Sequence, residues 1–311
     1  MVRAAIAFFL LINQVWAQEP PKQAPNQAPV QAMTARISEE AEVFARSARS
    51  VLSEETLRQK ARKPGSRFRP RVGQPPKDEF VTREIVSEYG YSSYQDSPNA
   101  LHEFRTVITI DGKKFQTVEK ARRALSLGVT SADDELKKQM LRDFEKHGLI
   151  GAVTDFGQVV LLFTKRRLPD YEFALLGQER IGAETAAVLS FKQKTGKESL
   201  TVFTTRSAVR SGLQGYIWVR MPDYLPLRVR LLSARKDGAF FVTTDATVDY
   251  AMSPHGCILP TRVEHREYVA TEPGKPGGQL LAENIFQYAP FRKFSAESEV
   301  KFSEVPIDPP K

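Results

Sequence analysis

Apolar and polar positions alternate with a period of two through most of the last third of the chain, which predicts antiparallel strands. The runs are Gly215–Met221, Leu225–Leu232, Phe240–Tyr250, Thr261–Val269 and Gln279–Tyr288, with Val300–Phe302 as a candidate sixth. In the first two, Ile217, Val219 and Met221 share a face with their cross-strand partners Leu227, Val229 and Leu231. Tyr216, Trp218 and Arg220 share the opposite face with Arg228 and Arg230. One face is therefore apolar throughout, and the other mixes aromatic rings with arginine. This pattern suits a half-buried sheet whose arginine stems cover the rings. The alternative is a sheet whose apolar side, Ile217, Val219, Leu227, Val229 and Leu231, walls a cavity; the pattern alone favours the half-buried sheet.

Upstream the pattern changes. Ile37, Ala41, Phe44, Ala45, Ala48, Val51 and Leu52 form one helical stripe, with Ser38 as its expected cap and Glu39 and Glu40 at the positive end of its dipole. Glu55–Ala61 either continues this helix or begins a strand. Strands are expected around Glu79–Tyr94 and Leu101–Ile110; in the second, Phe104, Thr106, Ile108 and Ile110 alternate with Arg105, Val107 and Thr109 before an Asp111-Gly112 turn. Thr117 is placed to cap a helix Val118–Leu127 ended by Gly128. Ser131 is placed to cap a second, with Leu136, Met140, Leu141 and Phe144 as its stripe and Gly148 as its end. Asp155–Phe163 is apolar on all sides, so period cannot separate strand from helix, and a helix is favoured. Tyr171–Gly177 and Ala183–Lys192 read as a hairpin, and Leu200–Thr205 as a further strand. Strands on both sides of a helical pair make an α+β chain.

The N-terminus carries the three parts of a secretory signal. Arg3 supplies the positive region, Ala4–Ile12 the apolar core, and Val15-Trp16-Ala17 a small-residue cleavage site. A core of about nine residues falls short of the roughly 20 needed to span a bilayer, so no integral span is expected after cleavage. The expected location is the periplasm or the extracellular space. Residues 18–32 hold Pro20, Pro21, Pro25 and Pro29 among Gln and Ala, and read as a disordered spacer without helix. About 280 residues then remain, enough for one domain over 33–305 with a helical insertion at about 117–163.

The charge adds one feature. Of the net +8, eight basic residues and no acidic one fall between Arg58 and Lys77, among Pro64, Pro70, Pro75 and Pro76. That is an extended basic loop, either simply solvated or facing anionic headgroups; nucleic acid is not an expected partner of an exported chain. Cys257 is the only cysteine, so no internal disulfide can form and stability must come from the core.

Candidate chemistry is sparse. The four histidines, His102, His147, His255 and His265, show no ligand spacing, and no nucleophile elbow, phosphate loop or dinucleotide fingerprint is present. Asp245 and Asp249 share a strand face about 13 Å apart by the strand rise, too far for a glycosidase pair at roughly 5–9.5 Å. No catalytic residue, metal site or cofactor is expected.

A resemblance rests on the closing strands. Leu213-Gln-Gly-Tyr-Ile-Trp-Val, Leu225-Pro-Leu-Arg-Val-Arg-Leu, Thr247-Val-Asp-Tyr and Cys257-Ile-Leu-Pro-Thr-Arg-Val resemble the last strands of the outer-membrane lipoprotein carrier superfamily. Tyr250 through Gly256 to Leu259-Pro260 has the form of its Tyr-to-Leu-Pro segment, and Leu176–Phe191 looks like its mid-sheet hairpin. The exported domain also resembles secreted proteins common in acidobacterial genomes. The resemblance covers Tyr171–Phe302 and, loosely, Ser38–Ile110. It implies a strongly curved antiparallel sheet forming an incomplete β-barrel closed by helices, with an apolar cavity between. The basic loop and the Thr117–Gly148 helices have no counterpart in that pattern, and no carrier functional residue maps onto this chain. The function it implies is non-enzymatic binding of acyl chains or lipoproteins. The alternative is an envelope protein-interaction or stress-sensing module of the same fold.

Overall fold

The computed structural model describes residues 27–63, 79–149, 155–196, 200–203, 208–270 and 278–294. Its elements run α1 (Gln27–Ser47), β1 (Val51–Arg62), β2 (Phe80–Ser92), β3 (His102–Ile110), β4 (Lys113–Lys114), α2 (Val118–Thr130), α3 (Asp134–Glu145), β5 (Tyr171–Ile181), β6 (Glu184–Gln193), β7 (Leu200–Phe203) and β8 (Ala208–Ser211). They end with β9 (Gln214–Arg220), β10 (Pro226–Asp237), β11 (Phe240–Met252), β12 (Ile258–Ala270), β13 (Gln279–Tyr288) and β14 (Arg292–Lys293).

Twelve strands form one open antiparallel sheet in the order β4-β3-β2-β1-β13-β12-β11-β10-β9-β6-β5, with β14 added beside the start of β1. β7 and β8 pair separately. The sheet does not close, because β5 at one edge and β4 at the other do not meet. Helices cover its faces instead, giving the α+β half-barrel that the resemblance implied.

The inner face of this sheet is covered by α1 and by a short 3-10 turn at Val159–Phe163, which pack on each other. Met33, Ile37, Ala41 and Phe44 of α1, with Ala48 just after it, join Val160 and Phe163 in one buried cluster with Leu57, Tyr89, Ile217, Val229, Val263 and Phe286. α2 lies on the opposite side of β2 and β3, where Leu125 and Val129 bury Leu52 and Phe104 in a second, smaller cluster. The β1–β3 sector is thus covered on both faces, and the β9–β13 sector on one.

Several boundaries differ from the sequence reading, each for a local reason. α1 begins at Gln27, so residues 27–32 are helical and not spacer. Pro29 is accommodated because the first four N–H groups of a helix have no intrahelical acceptor to lose. Ser38 is accordingly an interior residue, not a cap, and is buried. Glu55–Ala61 is strand, so Arg58, Lys60 and Arg62 belong to β1 and not to a loop; 64–77 of the basic run lie outside the described residues.

Thr117 caps α2 as expected, accepting from Lys120 N, but the helix runs past Gly128, whose missing side chain admits Met140 of α3. The cap of α3 is Asp133, which accepts from Glu135 N and Leu136 N, while Ser131 Oγ accepts from Asp133 N to shape the approach. Asp155–Phe163 contributes one 3-10 turn and no α-helix. The 171–192 hairpin forms around Gly182, which has φ +59°. Val300–Phe302 lies outside the described residues.

Candidate functional site

The interior of the half-barrel has an apolar sector and a polar one. The apolar sector is where alternation placed it. Ile217, Val219 and Val229 are fully buried and Leu231 is nearly so, all in the core beneath α1 and the 159–163 turn. Gly215 opposite Leu231 lets β9 and β10 approach closely, since a Cβ there would lie 1.9 Å from the Arg230 carbonyl oxygen.

Leu227 does not join them. Pro226 stands opposite Val219 and Arg228 opposite Trp218, so Leu227 is the extra residue of a bulge and is only half-buried. A single inserted residue reverses the parity of a strand, and the inner place expected for Leu227 falls to Pro226, which is buried. The other four come together, and they are packed against protein. Phe44, Phe144 and Phe163 lie in the same cluster.

The polar sector lies on β1, β2, β3 and β13, and alternation did not reveal it. Arg105 points inward and is buried. Its Nε donates to Glu55 Oε1 at 2.7 Å and its Nη2 to Glu55 Oε2 at 2.9 Å and Glu103 Oε2 at 2.7 Å. The guanidinium lies 5.0, 5.2 and 5.5 Å from the ring centres of Tyr89, Phe144 and Phe286. Burial raises the Glu103 carboxyl well above the usual range, to about 8, against the pull of Arg105 and with further upward pressure from Asp155 and Glu55. At neutral pH Glu103 is therefore largely the neutral acid, beside the ion pair of Arg105 with Glu55.

Tyr89 OH, Tyr91 OH and Glu103 Oε1 find no well-aligned hydrogen-bond partner elsewhere among the described residues, and the two hydroxyls lie close enough to interact with each other. The strand register sets Tyr91 directly opposite Glu103, and Tyr89 opposite Arg105. The two tyrosine rings meet edge to face at 5.1 Å. Gly157 closes over the group, and a Cβ on it would be 2.9 Å from both Glu103 Oε1 and Tyr89 OH. Tyr250 holds that segment down, donating to Gly157 O at 3.0 Å and accepting from Val160 N at 3.1 Å.

A second buried string runs beside it. Gln59 Nε2 donates to Asn284 Oδ1 at 2.8 Å, and Asn284 Nδ2 donates to His265 Nδ1 at 2.9 Å. Gln59 Oε1 accepts from Leu149 N at 2.7 Å. Burial lowers the His265 pKa to about 4, so the ring is neutral and its Nδ1 is free to accept.

Alternation along β3 does not show which face is inner: Phe104 is buried on the outer side, beneath α2, and Glu103 and Arg105 are buried on the other. The available signal was Glu-x-Arg on one strand beside Tyr-x-Tyr on its neighbour.

The outer face of β9–β13 carries paired charges. Arg228 meets Asp249, Arg230 meets Asp245, and Arg266 bridges Glu264 and Glu283. Tyr216, Trp218 and Arg230 line a cleft of about 340 Å³ with Leu176, Gln178 and Glu179. Asp245 and Asp249, each held by an arginine, form no catalytic pair. Cys257 is buried and its thiol is pushed up by desolvation. Among the described residues no group of His, Cys, Asp and Glu is arranged to hold a metal, and no helix is long and apolar enough to cross a membrane.

No family model matches the chain, and no curated protein does. Solved structures similar to the chain include the following two. A DUF1329 family protein from Desulfovibrio piger is 11% identical, with 89% of this chain and 98% of that one covered at a TM-score of 0.35. A putative outer membrane lipoprotein-sorting protein domain from Vibrio parahaemolyticus is 11% identical, with 86% and 95% covered at a TM-score of 0.36.

Proposed function

We propose that this is an exported, non-enzymatic binding protein of the cell envelope, which holds the acyl chain of a lipid or lipoprotein against the inner face of its half-barrel. In the form described, α1 occupies that place, and loading requires it to leave. The observation that carries the reading is the seat of α1. Its buried side is apolar through Met33, Ile37, Ala41 and Phe44, yet it also traps Ser38 Oγ and Glu40 Oε2 without partners.

Desolvation raises the Glu40 pKa against the pull of Arg36, so docking the helix works against its charged form. Unpartnered buried polar atoms cost about 1–3 kcal/mol each, which weakens the closed state against a competitor that brings only methylenes. Each methylene removed from water contributes about 0.8 kcal/mol. Ten contribute about 8, near micromolar affinity before association costs.

A second reading has its own observation. Phe44 and Phe144 already fill the core beside Ile217 and Val229, as they would in a protein-interaction or stress-sensing module that never opens. Its partner would meet the outer cleft at Tyr216 and Trp218.

Native mass spectrometry of protein purified from an envelope fraction separates the two. Bound lipid, or uptake from mixed micelles, supports the carrier; a bare protein that takes up none removes it. Val219→Glu should abolish uptake while the circular dichroism spectrum is retained, whereas unfolding by this change favours the permanently packed core.

A further inference from the structure

Resting on the acyl-chain reading, the polar sector assigns a second half to the same site. We propose that the hydroxyls of Tyr89 and Tyr91, with the Glu103 carboxyl, form a polar pocket that binds the carbonyl of an ester- or amide-linked acyl group, while the chain lies in the apolar sector.

The argument starts from what these groups lack. Tyr89, Tyr91 and Glu103 are each at most 1% exposed, and beyond the interaction of the two hydroxyls with each other their Tyr89 OH, Tyr91 OH and Glu103 Oε1 oxygens have no partner. Buried polar groups are nearly always satisfied, so three orphans on facing positions of two paired strands form a coherent set and not scattered defects. Arg105 is already committed to Glu55 and Glu103 and offers no free charge. With Glu103 as the neutral acid the set carries no net charge, and with one O–H shared between the two tyrosines two donors remain for a ligand.

Donors without charge select a neutral acceptor. An ester or amide carbonyl has two lone pairs to receive them, and a carboxylate or phosphate would bring a negative charge beside Glu55. Geometry places the pocket beside the chain site. Tyr91 packs edge to face on Phe44 of α1 at 5.4 Å, and the Gly157 backbone closes the other side over Tyr89 and Glu103. Movement of α1 that opens the apolar sector removes Phe44 from Tyr91 in the same step. The tyrosine hydroxyls are kept protonated by burial first and by the nearby Glu103 carboxylate when it forms.

The test uses the full mature chain and Tyr89→Phe/Tyr91→Phe. N-phenyl-1-naphthylamine is loaded, and its displacement by methyl laurate is compared with displacement by tridecane. In the native protein the ester should displace more effectively than the hydrocarbon, and the double variant should lose that preference by about fivefold per hydroxyl. Urea unfolding without ligand supplies the second readout. Removing orphan hydroxyls should leave the variant as stable as the native protein or more so.

An unchanged ester preference overturns the pocket. So does a marked loss of stability, which would mean the hydroxyls are satisfied in the empty protein by buried water. If the native chain takes up neither probe nor hydrocarbon, the acyl-chain reading itself falls and the pocket with it. Uptake of both with no preference for the ester removes the pocket alone.

Discussion

Glu103→Gln isolates the electrostatics of the interior. The Glu103 carboxyl titrates at about 8 in the fold, against 4.5 for the ordinary side chain. A carboxyl raised in this way contributes stability that is fully present below 4.5 and is lost as pH rises through the folded value, because across that interval the native state binds the proton that the unfolded chain has released. At 1.36 kcal/mol per pH unit, the whole interval amounts to about 5 kcal/mol.

His265 works in the opposite sense. Its folded pKa of about 4 lies below the ordinary 6.5, so it contributes stability above 6.5 that is lost as pH falls through the folded value. The two slopes oppose each other between 4.5 and 6.5. From pH 6.5 to 8 only Glu103 remains of the pair, and its share of that window is about 2 kcal/mol.

A glutamine keeps an acceptor for Arg105 and cannot ionise, so it reproduces the neutral acid. Urea unfolding of both proteins at pH 6.5, 7, 7.5 and 8 is the assay, and the difference between them cancels every other titrating group. The native protein should lose about 2 kcal/mol more than Glu103→Gln across the window. Parallel curves would refute the reasoning, since they would mean that Arg105 holds Glu103 ionised throughout.

Three further changes probe the same interior. Arg105→Met leaves Glu55 and Glu103 buried without their cation and should cost about 3–5 kcal/mol in urea unfolding, with part recovered by adding Glu55→Gln. Gly215→Ala drives a Cβ into the Arg230 carbonyl and should lower unfolding free energy by about 2–3 kcal/mol, where an alanine at the open turn position Gly212 has nothing within 4 Å to meet. Phe44→Ala should cost about 3–5 kcal/mol in core stability and, if α1 is a displaceable cover, should speed uptake of N-phenyl-1-naphthylamine in stopped-flow fluorescence; slower or unchanged uptake counts against displacement.

What the sequence made legible follows the number of faces an element buries. β9–β13 bury one face, so period-two alternation read their strands correctly and brought Ile217, Val219, Val229 and Leu231 together. It failed only at Leu227, because the bulge after Pro226 reverses parity and leaves no mark in hydropathy. β2 and β3 bury both faces, one under α2 and the other inside the half-barrel. There, alternation carries no sign of which side faces the interior, so the inward place of Glu103 and Arg105 is not legible from it.

That ambiguity has a physical consequence for the site. A strand covered on both sides can place charge in the interior only if each charge is matched there, and Arg105 with Glu55 meets that condition. Glu103 does not fully meet it: one carboxylate is enough to balance one guanidinium, and burial of the second raises its pKa against the pull of Arg105. A sector built for stability alone would be expected to replace such a group by an apolar side chain of similar volume. On the proposed pocket, the carbonyl of an incoming acyl group would complete the set that Glu103, facing Tyr91 across the strands, leaves open.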